Sequence, residues 1–212
     1  MPKPVGGRTS SAHRRSGAAF LWSMAVVITT AAVLTVIKFN PYFAGLTASA
    51  TIAVFSGYRV LGRKRPDLGP SQRATTLDWV VTILVFMTGV LLTGLGASGG
   101  IASNLAVVYA LGGGCVLYAS YDLYRFTWPV SFPFSPNLWL YEHLVKMIGG
   151  YFGAVAAFSG SVLVLLPAPW RQLWATTLGQ ILAVVLVIYY RRKMNDRPSK
   201  KRQAIESLAK TN

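Results

Sequence analysis

The chain has 212 residues, 53% of them apolar and 20 of them glycine, while only 13% are charged, about half the share of an ordinary water-soluble domain. Its charge is one-sided, with 21 Lys and Arg against 6 Asp and Glu for a formal +15. Nucleic-acid binders can carry such a balance, but here the basic residues sit beside the ends of long apolar runs, which is a membrane topology signal and excludes that class.

In chain order, six runs reach or approach the roughly 17 to 25 residues that a helix needs to cross about 30 Å of hydrocarbon. They cover residues 20–37, 43–61, 79–95, 101–121, 140–166 and 173–190. The expected fold is all-α, a polytopic transmembrane bundle of six helices. Segments 20–37, 79–95 and 147–166 contain no Asp, Glu, Lys, Arg or His, and a charge at the centre of any of them would cost about 2.5 to 3.5 kcal/mol on insertion. Residues 1–18 read as a basic arm, 19–190 as the transmembrane domain and 191–212 as a basic tail, with no soluble domain.

The first run follows Arg14 and Arg15, as in a secretory signal, but it outlasts the roughly 7 to 15 apolar residues of a cleaved one and reads as a retained helix. Thr9, Ser10 and Ser11 offer N-caps that let this helix begin before His13, from about residue 12. Positive charge then fixes the orientation. Lys3, Arg8, Arg14 and Arg15 precede the first run; Arg59, Arg63, Lys64, Arg65 and Arg73 lie between the second and third; Arg125 follows the fourth, and the tail is polybasic. Only Lys38 and Arg171 fall on the other side. Both termini are therefore expected in the cytoplasm, and an even number of helices agrees in putting them on one side. Trp22, Trp79, Trp128, Trp139, Trp170 and Trp174 fall near run ends, as an interfacial belt does.

Small residues at four-residue spacing let helix backbones approach closely in lipid. Gly45, Ser49, Ala53 and Gly57 form such a stripe on the second helix; Ala106, Ala110 and Gly114 form one on the fourth; Gly149, Gly153 and Ala157 form one on the fifth. Packing within the bundle is the expected use of all three, with a homodimer seam as the alternative. Each even-numbered helix ends in Tyr and Arg, at 58–59, 124–125 and 190–191, as inner-face anchors would. Cys115 is the only cysteine, so the chain has no internal disulfide. Gly96, Ala97, Ser98 and Gly99 copy the G-x-S-G nucleophile turn of rhomboid proteases, but they belong to the outer face while both histidines belong to the inner one. No base reaches Ser98, and no catalytic residue is expected.

Ser135 and Pro136 are a good start for a fifth helix of about 30 residues, roughly 45 Å, which places His143 near its second turn. His13 and His143, the only histidines, then lie at the same face as a polar cluster of Asp78, Asp122, Arg125, Glu142 and Lys146. In the plain reading, Glu142 pairs with Lys146 at i, i+4, Asp122 pairs with Arg125, and the histidines rest at the interface. In the functional readings, the two histidines ligate haem b, hold a divalent metal together with Asp122 or Glu142, or donate protons beside a quinone. Transport of a small solute is the weaker alternative, because the middle of the bundle offers only neutral Thr29, Thr30, Thr82, Ser161 and Gln180. The segment 129–136, with Phe132, Phe134 and the flanking Trp128 and Trp139, reads as an interfacial flap over the cluster. The tail, basic apart from Asp196 and Glu206, is expected to lie partly disordered on anionic headgroups, each charge contributing about 1 kcal/mol.

These residues carry a resemblance. His13, Arg14 and Gly17 opening the first helix (H-R-x-x-G), Gly57, Tyr58 and Arg59 closing the second, and His143, Met147, Tyr151 and Ala157 on the fifth are similar to an uncharacterised family of bacterial membrane proteins, domain of unknown function 2306. The chain departs from it in having Gly149 where an Arg often follows the Met. The resemblance implies an inner-membrane location, directs attention to His13 and His143, and implies no reaction. The expected role is a small integral membrane protein acting as a partner or accessory subunit in the bilayer. Its associations would be lipid with anionic headgroups and a membrane-protein partner or second copy, and no nucleic acid.

Overall fold

The computed structural model describes the backbone of residues 11–99, 105–129, 137–167 and 169–209, and side chains as far as residue 194. Lys3, Arg8, Thr9, Ser10, Ile101, Phe132, Phe134, Ser135, Pro136 and the tail side chains beyond residue 194 lie outside the described residues. Among the described residues the chain is all helical. Helix α1 is Ser11–Ile37, α2 is residues 41–62, α3 is Thr76–Ala97, α4 is Leu105–Thr127, α5 is Leu138–Val162 and α6 is Trp170–Ala209.

Five of these, α1, α3, α4, α5 and the stretch Trp170–Met194 of α6, are long and apolar enough to cross a membrane. Their outward faces carry large apolar side chains: Trp22 is 74% exposed, Val36 86% and Leu117 72%. So much exposed apolar surface suits hydrocarbon, not water. Met24 is the one buried side chain of α1, which lies at the edge of the bundle against α2.

Helix α2 is as long as a span but irregular. Asn40 caps it, its side chain accepting the Tyr42 N–H at 2.9 Å, with Pro41 in the first turn. At Ile52–Ser56 the helix widens into a π turn, resumes through Gly57–Arg59, and tightens to a 3-10 turn at Val60–Gly62. It is also the central helix, touching α1, α3, α4 and α5, with Ile52, Ala53, Val54, Ser56, Gly57 and Val60 buried in succession.

Close approaches are made by glycines, not always those of the expected stripes. A Cβ at Gly89 of α3 would meet the Gly112 carbonyl of α4 and the Cys115 Cβ at 2.8 Å. On α2, Gly45 meets Leu111 and Leu92 at 3.1 Å, and Gly57 meets the Lys146 Cβ at 3.0 Å. Ala53 is buried and Ser49 half-buried. On α4 the expected stripe is corrected: Ala106 and Ala110 are exposed and Gly114 faces open space, because Val108, Gly112, Cys115 and Ala119 occupy the inward face. On α5, Gly153 also faces open space, Gly149 meets only the Tyr118 hydroxyl at 3.4 Å, Ala157 is half-buried, and the tight contacts are Gly160 against the Gln172 side chain at 2.7 Å and Gly150 against Val54 at 3.0 Å.

Several boundaries differ from expectation for local reasons. Helix α5 stops at Val162 and the chain turns through Leu163–Leu166, since Pro167 and Pro169 follow. Helix α4 runs past residue 121 to Thr127, so Asp122 and Arg125 are helical. The tail backbone continues as helix to Ala209, where partial disorder was expected.

Candidate functional site

The charged side chains of α2 to α5 meet at one end of the bundle in two tiers. In the outer tier, Thr75 and Asp78 form the capping box that starts α3. The Asp78 carboxylate accepts the Thr75 N–H and hydroxyl, both at 2.8 Å, and Arg59 of α2 grips it with two donors at 2.8 and 2.9 Å, the bidentate geometry in which a guanidinium binds most strongly. Arg63 stands 3.9 Å from the same carboxylate and stacks on the Phe126 ring at 4.8 Å. Burial pushes the Arg63 guanidinium down from its ordinary value, while Asp78, Asp122 and Glu142 hold it up.

Across the site, Arg125 of α4 donates to Glu142 of α5 at 2.7 Å, and the Tyr121 hydroxyl donates to the same oxygen at 2.7 Å. The first two Tyr-Arg pairs are thus used alike: each arginine crosses to an acidic residue in the first turns of the following helix.

The inner tier is deeper and drier. Lys146 of α5 and Asp122 of α4 form an ion pair, each about 2% exposed, and Ser56 of α2 joins them, donating to Asp122 at 2.5 Å and accepting from the Lys146 ammonium at 2.7 Å. The Lys146 ammonium also lies 5.8 Å from the Tyr121 ring centre. The expected pairing is therefore exchanged. Antiparallel α4 and α5 bring Asp122 level with Lys146 and Arg125 level with Glu142, so contacts between helices replace the i, i+4 contact along one.

His143 lies beside this network. Its Nδ1 is 2.8 Å from the Gly57 carbonyl oxygen. A carbonyl only accepts, so Nδ1–H is the donor, and in the neutral ring Nε2 is left as acceptor or ligand nitrogen. His13, exposed near the start of α1, stands close enough to act electrostatically on His143. All five residues of the expected cluster and both histidines thus lie at one end. No group of three or more His, Cys, Asp or Glu with metal-binding geometry occurs among the described residues.

A cleft enters this end between Val60, Arg63, Asp122, Arg125, Phe126 and Glu142, and offers about 20 Å³ to water centres. One water needs at least about 10 to 15 Å³, so the cleft admits a water. At the opposite end, Gln172 donates to the Tyr42 hydroxyl at 3.0 Å and Ser159 to the Arg171 carbonyl at 2.8 Å. Ser98, in the turn after α3, donates to the Leu95 carbonyl at 3.1 Å.

Sequence reasoning missed Ser56, Arg59, Arg63 and Thr75. Thr75 and Asp78 had a readable signal, the T-x-x-D of a capping box. Ser56 had none, because its position depends on the π turn. No family model, curated protein or solved structure matches the chain.

Proposed function

We propose that the chain is a six-span bacterial inner-membrane protein with both termini in the cytoplasm, acting in the bilayer as a partner or accessory subunit built around the charged site at its basic end. The observation that carries this reading is the buried Lys146, Asp122 and Ser56 network. Ionisable groups inside a membrane bundle are costly to keep and mark functional positions by default. Helix α2 counts as the sixth span, since residues 41–62 measure about 33 Å. The outward small residues Ala106 and Ala110 of α4 support a helix-to-helix association, and the polybasic tail supports contact with anionic headgroups. The likeness to domain of unknown function 2306 belongs to this reading and assigns no reaction. Photocrosslinking in native membranes tests it: a probe at Ala110 should give a discrete protein adduct, a partner or second copy, and one at buried Ala119 should give none. Lipid adducts alone at Ala110 would contradict an association through this face.

A second reading, a redox or cofactor-binding protein, is favoured by the single tautomer that Gly57 imposes on neutral His143. Metal-ligating histidines are commonly oriented in this way by a carbonyl on the other ring nitrogen. His13 and His143 would be the axial pair of a haem, or two ligands of a divalent metal completed by water. A Soret band or stoichiometric metal lost in both His13→Ala and His143→Ala would establish it; a colourless, metal-free protein would leave the charged network as the site.

A further inference from the structure

We propose that the end of the bundle opposite the charged tiers holds a site for a phosphate group, carried by a lipid headgroup or by a soluble phosphate and bound by the Arg171 guanidinium and the Tyr42 hydroxyl. Three helices build it. Consecutive residues Ser159 and Gly160 of α5 receive consecutive residues Arg171 and Gln172 of α6. The buried Ser159 hydroxyl donates to the Arg171 carbonyl at 2.8 Å, and Gln172 lies so closely over Gly160 that a Cβ there would stand 2.7 Å from its side chain. From this position Gln172 donates to the Tyr42 hydroxyl of α2 at 3.0 Å. Arg171 is close enough to act electrostatically on the same hydroxyl.

The groups placed in this way keep unused hydrogen-bonding capacity. The half-buried Arg171 guanidinium makes no hydrogen bond or ion pair with a described residue, and its Nε is shut off from solvent. Tyr42 accepts from Gln172 and so keeps its own O–H for a further acceptor. Gln172 Oε1 is also without a partner, and an acceptor beside two donors suits a phosphate that brings a hydroxyl of its own. The chain supplies no counterion at this end. Asp67, Asp78, Asp122 and Glu142 belong to the basic end, and Asp196 and Glu206 lie about 37 Å or more along α6 from Arg171. Lys38, exposed in the turn between α1 and α2, adds a second cation here. A partly buried cation without a counterion is unfavourable, and the planar guanidinium fork matches phosphate through two parallel N–H···O bonds. Side chains, not the helix end, make the site, because the N–H groups of Arg171, Gln172 and Leu173 are already given to the Pro167 and Pro169 carbonyls. Trp170 and Trp174 beside them are exposed, as aromatic rings are at the headgroup level of a bilayer.

Native mass spectrometry of the full chain, purified in a glycoside detergent and phosphate-free buffer, tests the proposal with dioleoylphosphatidylglycerol, dioleoylglycerol and inorganic phosphate as probes. The first phosphatidylglycerol should bind Arg171→Gln about tenfold more weakly or worse, and Tyr42→Phe about threefold more weakly, the orders expected for a charged and a neutral hydrogen-bond partner. Lys64→Gln, at the basic end, should leave that affinity unchanged, and dioleoylglycerol, which lacks the phosphate, should not distinguish the variants. Inorganic phosphate that binds the unaltered chain and not Arg171→Gln, with phosphatidylglycerol binding both alike, supports the site and assigns it to a soluble phosphate. Affinities for both phosphate probes unchanged in Arg171→Gln, or an equal loss in Lys64→Gln, overturn the proposal and make Arg171 a solvated interface cation. If Arg171→Gln does not fold, Tyr42→Phe decides: weaker binding of either phosphate probe supports the site, and unchanged binding of both overturns it.

Discussion

At the scale of residues, the inner tier makes a sharp thermodynamic prediction. Removing one partner of a buried ion pair leaves an uncompensated charge, at a cost of about 3 to 5 kcal/mol, whereas replacing both by apolar groups of similar size is often neutral or stabilising. Lys146→Met should therefore lower the melting temperature in detergent strongly, and Asp122→Leu combined with Lys146→Met should recover most of the loss. Additive losses in the double variant would show that the pair is not coupled. Ser56→Ala, which removes a hydrogen-bond partner from both charges, should cost about 1.5 to 3 kcal/mol in the same assay. The residues of this tier were partly legible in the sequence. A Lys and an Asp near helix ends in so apolar a chain stand out by type alone. Their pairing was not legible, because it depends on the register of α4 against α5, and no periodicity along one helix encodes the register between two.

At the scale of elements, glycine faces set how closely the helices approach. Gly89→Ala puts a Cβ at 2.8 Å from the Gly112 carbonyl, a backbone atom that cannot swing aside, and should cost about 1 to 3 kcal/mol. Gly114→Ala, facing open space, should change stability by no more than about 0.5 kcal/mol. Equal effects of the two on thermal melting would contradict the assigned faces of α4. Four-residue spacing of small residues was visible for Ala106, Ala110 and Gly114, yet the packed face passes through Gly112, Cys115 and Ala119. Spacing reveals a stripe and not which way it points. The six helices themselves were legible, because apolar length is a strong signal. Their ends were less so: Pro167 and Pro169 close α5 early, and the π turn of α2 leaves no mark in its composition. The recurring Tyr and Arg at helix ends acquire a structural meaning here, since Arg59 and Arg125 each brace the start of the next helix through Asp78 and Glu142. Asp78→Ala should remove both that brace and the α3 capping box, costing at least the roughly 0.5 to 2 kcal/mol of a lost cap, read as reduced thermal stability.

At the scale of the whole molecule, the basic end gathers the charges, both histidines and the cleft, while the opposite end carries the short turn around Ser98 and the Tyr42, Ser159, Arg171 and Gln172 contacts. This asymmetry bears on the proposed topology, in which both termini, and with them all of these charged groups, would lie on the cytoplasmic side. Single-cysteine labelling in intact cells, on a Cys115→Ser background, tests it most directly. Cysteines placed at Ser71, between α2 and α3, and near either terminus should react with a membrane-impermeant maleimide only after the cells are opened, and one at Ser98 should react in intact cells. Labelling of either terminus or of position 71 in intact cells would contradict the account.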